Sequence, residues 1–599
     1  MKIAAITPEI HIADCIYNTG LIIDHAKKAY EAGCDAAVFP AFALTGCSCG
    51  DLFTSMTLRK AVERALIRIK EESGHFRDML IAVGFPGYNF YTGRGESCIA
   101  VIKNGVFEAF ISGNKRSDIT DDGFIIINGE RYYFEYDDDM SPVMHKDKSL
   151  RFLTDHILFM PGQNIPDITV YMCSHELYAG SVSGKLKFMA SGSGKTGADH
   201  ICVSPGAGES VDECVYSGLK AYASGGKVID LSLKTGMCVF DTDPGRKQET
   251  HFISHYGFDG KNLFIPDDQD ASDMFCLDIM KVQATALGER LKYLHMSKCI
   301  IGLSGGLDSA LALIAAVNAY DRCGMDRKDI ICVTMPGFGT GSRTKDNAVR
   351  LAGFFGVTLM TIDIRDQTAV HLKSIGQPEE GGSFVSDVTF ENAQARTRTM
   401  ILMDLANKEN AIVVGTGDMS ELALGWCTYN GDHMSNFSVN AGIPKTVITP
   451  VLRTYISRVA DRKNRDELSE ILEDIIDTPV SPELLPAGED GSIAQKTEDA
   501  LGPYALHDFF LYHFLFNRNE DMRDIYEQAI EAFDGVYSKE TVYETFRIFI
   551  KRFFIQQFKR SCMPVGPKVF ECSLSPRSGF LMPSDACAGE WLREAEIKR

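Results

Sequence analysis

The chain is short of positive charge: 61 lysines and arginines face 81 aspartates and glutamates, a net charge of −20. That argues against gripping a phosphate backbone as the main task, so no nucleic-acid partner is expected, while a local basic pocket for a nucleotide stays allowed. No uninterrupted apolar run is long enough to span a bilayer. The start, MKIAAITPEI, lacks a charged leader followed by a long apolar stretch. The expectation is no membrane segment, no signal peptide and a cytoplasmic location. No CxxC pair occurs among the 17 cysteines, which scatter through apolar runs such as HICVSP and DIICVTMP. This leaves little room for a zinc site and fits buried, reduced thiols. Internal repeats and low-complexity tracts are also missing.

What is there is globular. The 599 residues exceed what one core holds, and 45% hydrophobic with 24% charged residues are ordinary values. In residues 1–255, strand-like segments (KIAAIT, AAVFP, MLIAVGFP, SCIAVIKNG, ITVYMCS, HICVSP, KVIDLS) alternate with helical periodicity over 17–33 and 58–72. This is mixed α/β, with enough strands for two packed sheets. Residues 256–280, YGFDGKNLFIPDDQDASDMFCLDIM, are turn-rich and acidic and read as a linker. Over 281–599 the strands KCIIGLS, DIICVTMP, VTLMTIDI and AIVVGTG alternate with helices, which implies a doubly wound parallel sheet. The apolar tail, from HDFFLYHFLF to TFRIFIKRFFIQQF, reads as helical.

The sharpest motif is IIGLSGGLDSALALIAAV, 300–317. A buried strand ends at Ser304, the chain turns through Gly305 and Gly306, and a helix opens around Leu307 and Asp308. Two glycines let backbone N–H groups converge on an anion, and the helix start adds unpaired donors. Ser304 and Ser309 supply hydroxyls. Asp308 would be repelled by bare phosphate, so its presence implies a bridging Mg²⁺. The other glycine-rich stretch, SGSGKTG at 191–197, lacks the upstream glycine of a phosphate-binding loop, since position 189 is Met; it reads as a flexible loop.

SGGLDS resembles the signature of the ATP pyrophosphatases, which cleave ATP between α- and β-phosphates and transfer AMP to a substrate oxygen. DVTFENAQARTRTMILMDLAN (387–407), VVGTGDMSELALGWCTYNGDHMSNFSVNAGIPKT (413–446), AQKTEDALGPYALHDFF (494–510) and QFKRSCMPVGPKV (557–569) make the second half resemble NAD synthetase. The resemblance implies ATP and Mg²⁺, and deamido-NAD as the substrate whose carboxylate is adenylylated and then amidated by ammonia. It implies Asp308 and Glu421 at the metal, and Asp432 and Lys445 at the dinucleotide. Thr416 would bond a phosphate or ribose, or merely cap. Arg396 would reach phosphate, or lie on a solvated face. Lys559 and Arg560 would clamp phosphates, or be exposed charge. Glu421 at a helix start could also just complement the dipole. A homo-oligomer is implied as well, with dimeric synthetase cores assembling as far as octamers.

The first half resembles the nitrilase-type glutaminase domain of fused NAD synthetases, in the FP-x-x-x-L-T-G turn, CGDLF and GADHICVSPGA. The implied fold is an α-β-β-α sandwich, with a Cys nucleophile, a Glu base and a Lys at the oxyanion. Here Ala41 stands where the family has Glu. Cys173 occupies the nucleophile position but is followed by Ser174 and His175. Lys115 fits the Lys only if the register slips. His175 or Glu176 could substitute, with His175 sharing a strand face with Cys173; Cys47 and Cys49 read as incidental thiols. The expectation is an ammonia-dependent NAD synthetase whose glutaminase half is idle. Rivals are a working glutamine-dependent enzyme, an amidating enzyme for another nucleotide carboxylate, and a non-catalytic regulator.

Overall fold

A computed structural model describes residues 1–89, 94–113, 124–136, 142–154, 165–242, 250, 252, 256–258, 260–339, 341–478 and 497–596. The chain divides into two compact units, Met1–His255 and Tyr256–Arg599.

In the first unit the described strands form an eight-stranded and a six-stranded sheet. Lys2–Thr7, Ala36–Val38 and Leu80–Asn89 run parallel at the centre of the larger one, and Leu80–Asn89 pairs antiparallel with Arg94–Lys103. Ile168–Met172 and Asp199–Val203 run parallel in the smaller one. One apolar cluster takes Ile3, Val38 and Leu80 from the first sheet and Phe152, Val170 and Ile201 from the second. The sheets therefore pack face to face, because alternate side chains of each strand point to that shared core. The helices Cys15–Glu31 and Met56–Ser73 cover the outer face of the larger sheet, and Ser181–Thr196 that of the smaller. This is the expected α-β-β-α sandwich.

SGSGKTG is not a loop. It is the last part of the helix Ser181–Thr196, which stops at Gly197 with φ +75°. Its glycines permit close packing: a Cβ on Gly192 would sit 2.6 Å from the His200 ring. Residues 256–280 are not simply a linker either. A 26-residue helix, Gln269–Leu294, starts inside them, with the Asp268 side chain accepting from the Ala271 N–H. The acidic composition that suggested a linker supplies the cap and first-turn charge of this helix.

The second unit is built on a five-stranded parallel sheet, in the spatial order Thr358–Thr361, Ile330–Thr334, Lys298–Gly302, Ala411–Gly415, Phe437–Ser438. Order reverses between Lys298–Gly302 and Ala411–Gly415, so the crevice beyond their carboxyl ends is the topological switch point. SGGLDS and GTGD sit there. The doubly wound sheet is as expected; the short strand Phe437–Ser438 was not anticipated. The apolar tail forms the helices Tyr504–Phe516 and Lys539–Ile555, whose aromatic faces pack together in a separate core. Among the described residues, no helix is long and apolar enough to cross a membrane.

Candidate functional site

The turn after Lys298–Gly302 has the shape its sequence demands. Gly305 takes φ +89°, and a Cβ there would lie 1.9 Å from the Thr344 carbonyl oxygen. Only glycine fits. Ser304 and Ser309 hydroxyls lie 3.1 Å apart, and the Gly306 N–H donates to Ser304 Oγ at 3.2 Å. The helix Leu307–Cys323 follows, with Asp308 in its first turn.

Across the switch point, the chain leaves Ala411–Gly415 through Thr416 and enters the helix Met419–Leu424. Asp418 and Glu421 form a capping box: the Asp418 side chain accepts from the Glu421 N–H at 2.8 Å, and Glu421 reaches back to the Asp418 N–H. Lys445 opens the helix Lys445–Thr454. Its Nζ stands 2.8 Å from Asp308, 2.6 Å from Asp418 and 3.0 Å from Glu421, with 5% of its side chain exposed. Burial works against the Lys445 charge, yet the three carboxylates raise its pKa well above the ordinary value. Burial pushes Asp418 up, with Glu421 adding and Lys445 opposing. Burial likewise lifts Glu421 to about 7.

Three carboxylates facing one ammonium leave an excess of negative charge in a confined space. Oxygens of Asp308, Asp418 and Glu421 all lie within 4.8 Å of one another. An all-oxygen set of this kind suits a hard dication such as Mg²⁺.

Two side chains that the sequence reading missed hold this geometry. Asn440 Nδ2 donates to the carbonyls of Asp308 (2.9 Å) and Thr416 (3.0 Å), and its Oδ1 accepts from Gln283 at 2.9 Å. Asp508 accepts from the Ser420 hydroxyl and from the Thr446 N–H and hydroxyl (2.9 and 2.7 Å), while the Lys445 N–H donates to Ser420 Oγ. Asp418 was also missed as a partner of Lys445. Its only sequence signal was the D-x-x-E spacing of an ordinary cap.

The remaining candidates spread along the adjoining loop. Asp432 accepts from the Thr428 N–H at 2.7 Å, and exposed Arg396 donates to the Tyr429 carbonyl at 3.3 Å. Lys559 Nζ donates to the carbonyls of Gly425 and Cys427, both at 2.7 Å. Arg560 is 1% exposed and donates to the Leu422 and Ala423 carbonyls. Neither is free surface charge. Both cover carbonyls at the C-terminal end of Met419–Leu424, where positive charge complements the helix dipole.

In the first unit, Ala41 is 1% exposed and follows Ala36–Val38 on a turn in which Phe42 takes φ +53°. Cys173 lies just past Ile168–Met172, and its Sγ is 3.5 Å from Cys202 Sγ in an apolar cluster with Leu186 and Met189. The strand has ended before Cys173, so the alternation that put His175 on its face does not apply. Glu176 accepts from the Cys214 thiol at 3.4 Å. Lys115 lies outside the described residues. The Cys47 N–H donates to Glu209 Oε2 at 3.1 Å, and its Sγ is 3.5 Å from the Ala41 carbonyl oxygen.

The NAD synthase family model matches residues 279–547. A glutamine-dependent NAD(+) synthetase of Mycobacterium tuberculosis is 31% identical, over 100% of this chain and 98% of its own length. That of Mycobacterium leprae is 30% identical with the same coverage. Among solved structures, a glutamine-dependent NAD(+) synthetase from Cytophaga hutchinsonii matches at TM-score 0.76 and 16% identity, covering 100% of this chain and 99% of that one. One from Acinetobacter baumannii, solved with ADP, matches at TM-score 0.64 and 20% identity, covering 96% and 97%. The last two share the fold. The resemblance read from SGGLDS and the blocks after it is borne out.

Proposed function

We propose a reaction for this chain from the premise that it belongs to the glutamine-dependent NAD(+) synthetase family. It is an ATP-dependent ligase that forms an amide bond. ATP lies with its triphosphate in the 304–309 turn, where the backbone of Gly305, Gly306 and Leu307 and the Ser304 and Ser309 hydroxyls face it. Thr416 supports the nucleotide from the neighbouring strand tip. Asp308 and Glu421 would hold Mg²⁺, which neutralises phosphate charge when bound. Arg396, Asp432 and Lys559 hold deamido-NAD. Lys445, fixed on a helix start, presents its ammonium where charge develops during adenylyl transfer. The nicotinate carboxylate takes AMP, pyrophosphate leaves, and ammonia then displaces AMP to give NAD⁺.

The single observation that carries this reading is Lys445 held among Asp308, Asp418 and Glu421 at the switch point. A regulator that had lost its chemistry would have no reason to keep four charged side chains converging there, since burying them costs stability. We also propose that Cys173 is idle: Ala41 supplies no general base, worth roughly 10²–10⁴-fold, and the thiol is packed against Cys202. The dimeric synthetase core implied by the family completes the reading, and sedimentation of the full chain tests it.

The test is the full chain with ATP, Mg²⁺, deamido-NAD and ammonium. Expected are NAD⁺, AMP and pyrophosphate in equal amounts, and their loss in Asp308→Ala. Undiminished synthesis by Asp308→Ala would sink the assignment of the turn. Glutamine-driven synthesis that disappears in Cys173→Ala would overturn the idle thiol.

A further inference from the structure

The tail helix Tyr504–Phe516 brings one more polar group to the charged cluster at the switch point. Asp508 on this helix accepts from the Ser420 hydroxyl and from the Thr446 N–H and hydroxyl. The helix is thereby tied to the two segments that carry Glu421 and Lys445. Tyr504 precedes Asp508 by four residues, one helical turn, and so shares its face. The Tyr504 N–H donates to Glu498 Oε1 at 3.1 Å, which fastens the helix start. The ring lies over Lys445: Nζ stands 5.5 Å from its centroid, within cation–π range. Lys445 is therefore surrounded by three carboxylates and one aromatic face.

The phenol oxygen sets this residue apart. Tyr504 is 4% exposed, and its hydroxyl has no hydrogen-bond partner among the described residues. Packing on Lys445 needs only the ring, which phenylalanine would supply equally well. A buried hydroxyl left unpaired costs stability, and a tyrosine hydroxyl in such a place ordinarily finds a partner. A phenol with an ordinary pKa of about 10 keeps its proton at neutral pH, and burial strengthens that hold. The group is a neutral donor in want of an acceptor. The carboxylates of the cluster are already engaged by Lys445. The acceptor that best fits comes with the nucleotide, because the oxygens of Asp308, Asp418 and Glu421 converge where a dication would bring phosphate to them.

We propose that Tyr504 is a further catalytic residue of adenylyl transfer: its O–H donates to a non-bridging oxygen of the ATP α-phosphate, while its ring holds Lys445 Nζ beside the same charge. The proposal deepens the ligase reading and rests on it. In this step a carboxylate oxygen of deamido-NAD bonds to the α-phosphorus. The bond from that phosphorus to the bridging oxygen breaks, and its electron pair leaves with pyrophosphate. Tyr504 keeps its proton throughout. Its hydrogen bond strengthens as negative charge gathers on the non-bridging oxygens, and a donor fixed in place by a buried helix pays no reorganisation at that moment.

The experiment uses the full chain with ATP, Mg²⁺, deamido-NAD and ammonium, in the parent, Tyr504→Phe and Tyr504→Leu. Three quantities are read: kcat and KM for NAD⁺ formation, ATP–pyrophosphate exchange without ammonium, and the urea midpoint followed by Trp426 and Trp591 fluorescence. In Tyr504→Phe, kcat and the exchange rate are expected to fall together by about 100-fold. Both KM values should stay within about twofold of the parent's. The midpoint should hold or rise, because an unpaired buried hydroxyl has been removed. Tyr504→Leu should be slower again, since Lys445 then loses the ring as well; a rate equal to that of Tyr504→Phe would overturn the part given to the ring. A Tyr504→Phe as fast as the parent overturns the donor and leaves the phenol to a trapped water. A lowered midpoint in Tyr504→Phe also overturns it, since the hydroxyl would then have a partner inside the protein. Full exchange with slowed NAD⁺ formation overturns the assigned step. A parent that makes no NAD⁺ from ammonium overturns the ligase reading and this inference with it, whereas a working parent beside an equally fast Tyr504→Phe overturns the inference alone.

Discussion

Replacing Lys445 by Met tests the centre of the proposed synthetase site. Met keeps the length and the unbranched stem but removes the charge. Lys445 Nζ makes three ion pairs of 2.6 to 3.0 Å. A unit-charge pair 4 Å apart gains about 4 kcal/mol at the effective dielectric near a protein surface, and these are closer. Desolvation offsets most of that gain, and removing one member of a buried pair costs about 3–5 kcal/mol. Three carboxylates with oxygens within 4.8 Å of one another would then repel with no cation between them. The expected loss is therefore about 3–5 kcal/mol from the second unit alone. The two tryptophans of the chain, Trp426 and Trp591, both lie in that unit, so their fluorescence in a urea titration reports on it selectively. Millimolar Mg²⁺ should stabilise Lys445→Met more than the parent, because the ammonium no longer competes for the same oxygens; 100-fold saturation is worth about 2.7 kcal/mol. A midpoint unchanged within about 0.5 kcal/mol, or equal Mg²⁺ effects in both proteins, would refute the argument.

Three further outcomes follow from the geometry. Gly305→Ala should abolish ATP-dependent pyrophosphate release, since its Cβ would meet the Thr344 carbonyl at 1.9 Å; nucleotide titration calorimetry with affinity like the parent's would contradict this. Asp508→Asn should destabilise the second unit by about 1–3 kcal/mol and lower kcat, because one of three donors to that carboxylate loses its acceptor; a change in KM alone would not fit. Glu209→Gln should alter the pH dependence of stability in the first unit. Glu209 is raised by burial from an ordinary 4.5 to about 8, with Cys47 and Cys49 near it. Both states are protonated well below pH 4.5, and between there and about 8 only the unfolded chain ionises. The stability associated with the neutral group is thus full at low pH and lost as pH rises through about 8, by up to about 1.4 kcal/mol per pH unit. Gln cannot ionise, so the variant should gain on the parent between pH 5.5 and 8.5 in calorimetry; equal shifts at both would refute it.

Local pattern carried the sequence reading a long way. Period-2 and period-3.6 stretches located the central strands and helices such as Cys15–Glu31, Met56–Ser73 and Leu307–Cys323, because each element buries one face. SGGLDS was legible because a positive-φ glycine and a helix start are short-range requirements. What escaped was set by partners distant in sequence. Asp418 has only the D-x-x-E spacing to mark it in the sequence, while its ion pair with Lys445 spans 27 positions, 418 to 445. Asn440, Asp508 and Glu209 bear no motif; each acquires meaning from a contact that only the folded chain creates. Lys559 and Arg560 stand open between clamp and surface in the sequence, which does not reveal that both donate to carbonyls at and just past a helix end. Residues 256–280 and 191–197 depart from expectation for the same reason: acidic and glycine-rich composition ordinarily interrupts helices, whereas here it caps one helix and lets another pack tightly.

Asn440 has an implication for selectivity. One amide, itself tied to Gln283, is bonded to main-chain oxygens on both lips of the crevice, at Asp308 and Thr416. The gap between those lips is consequently set by the fold like a fixed gauge, before any nucleotide arrives. A bulkier base or sugar cannot be admitted by spreading the lips without first breaking that clasp. Discrimination at this end of the sheet would then operate by refusal of the wrong shape rather than by adjustment to it.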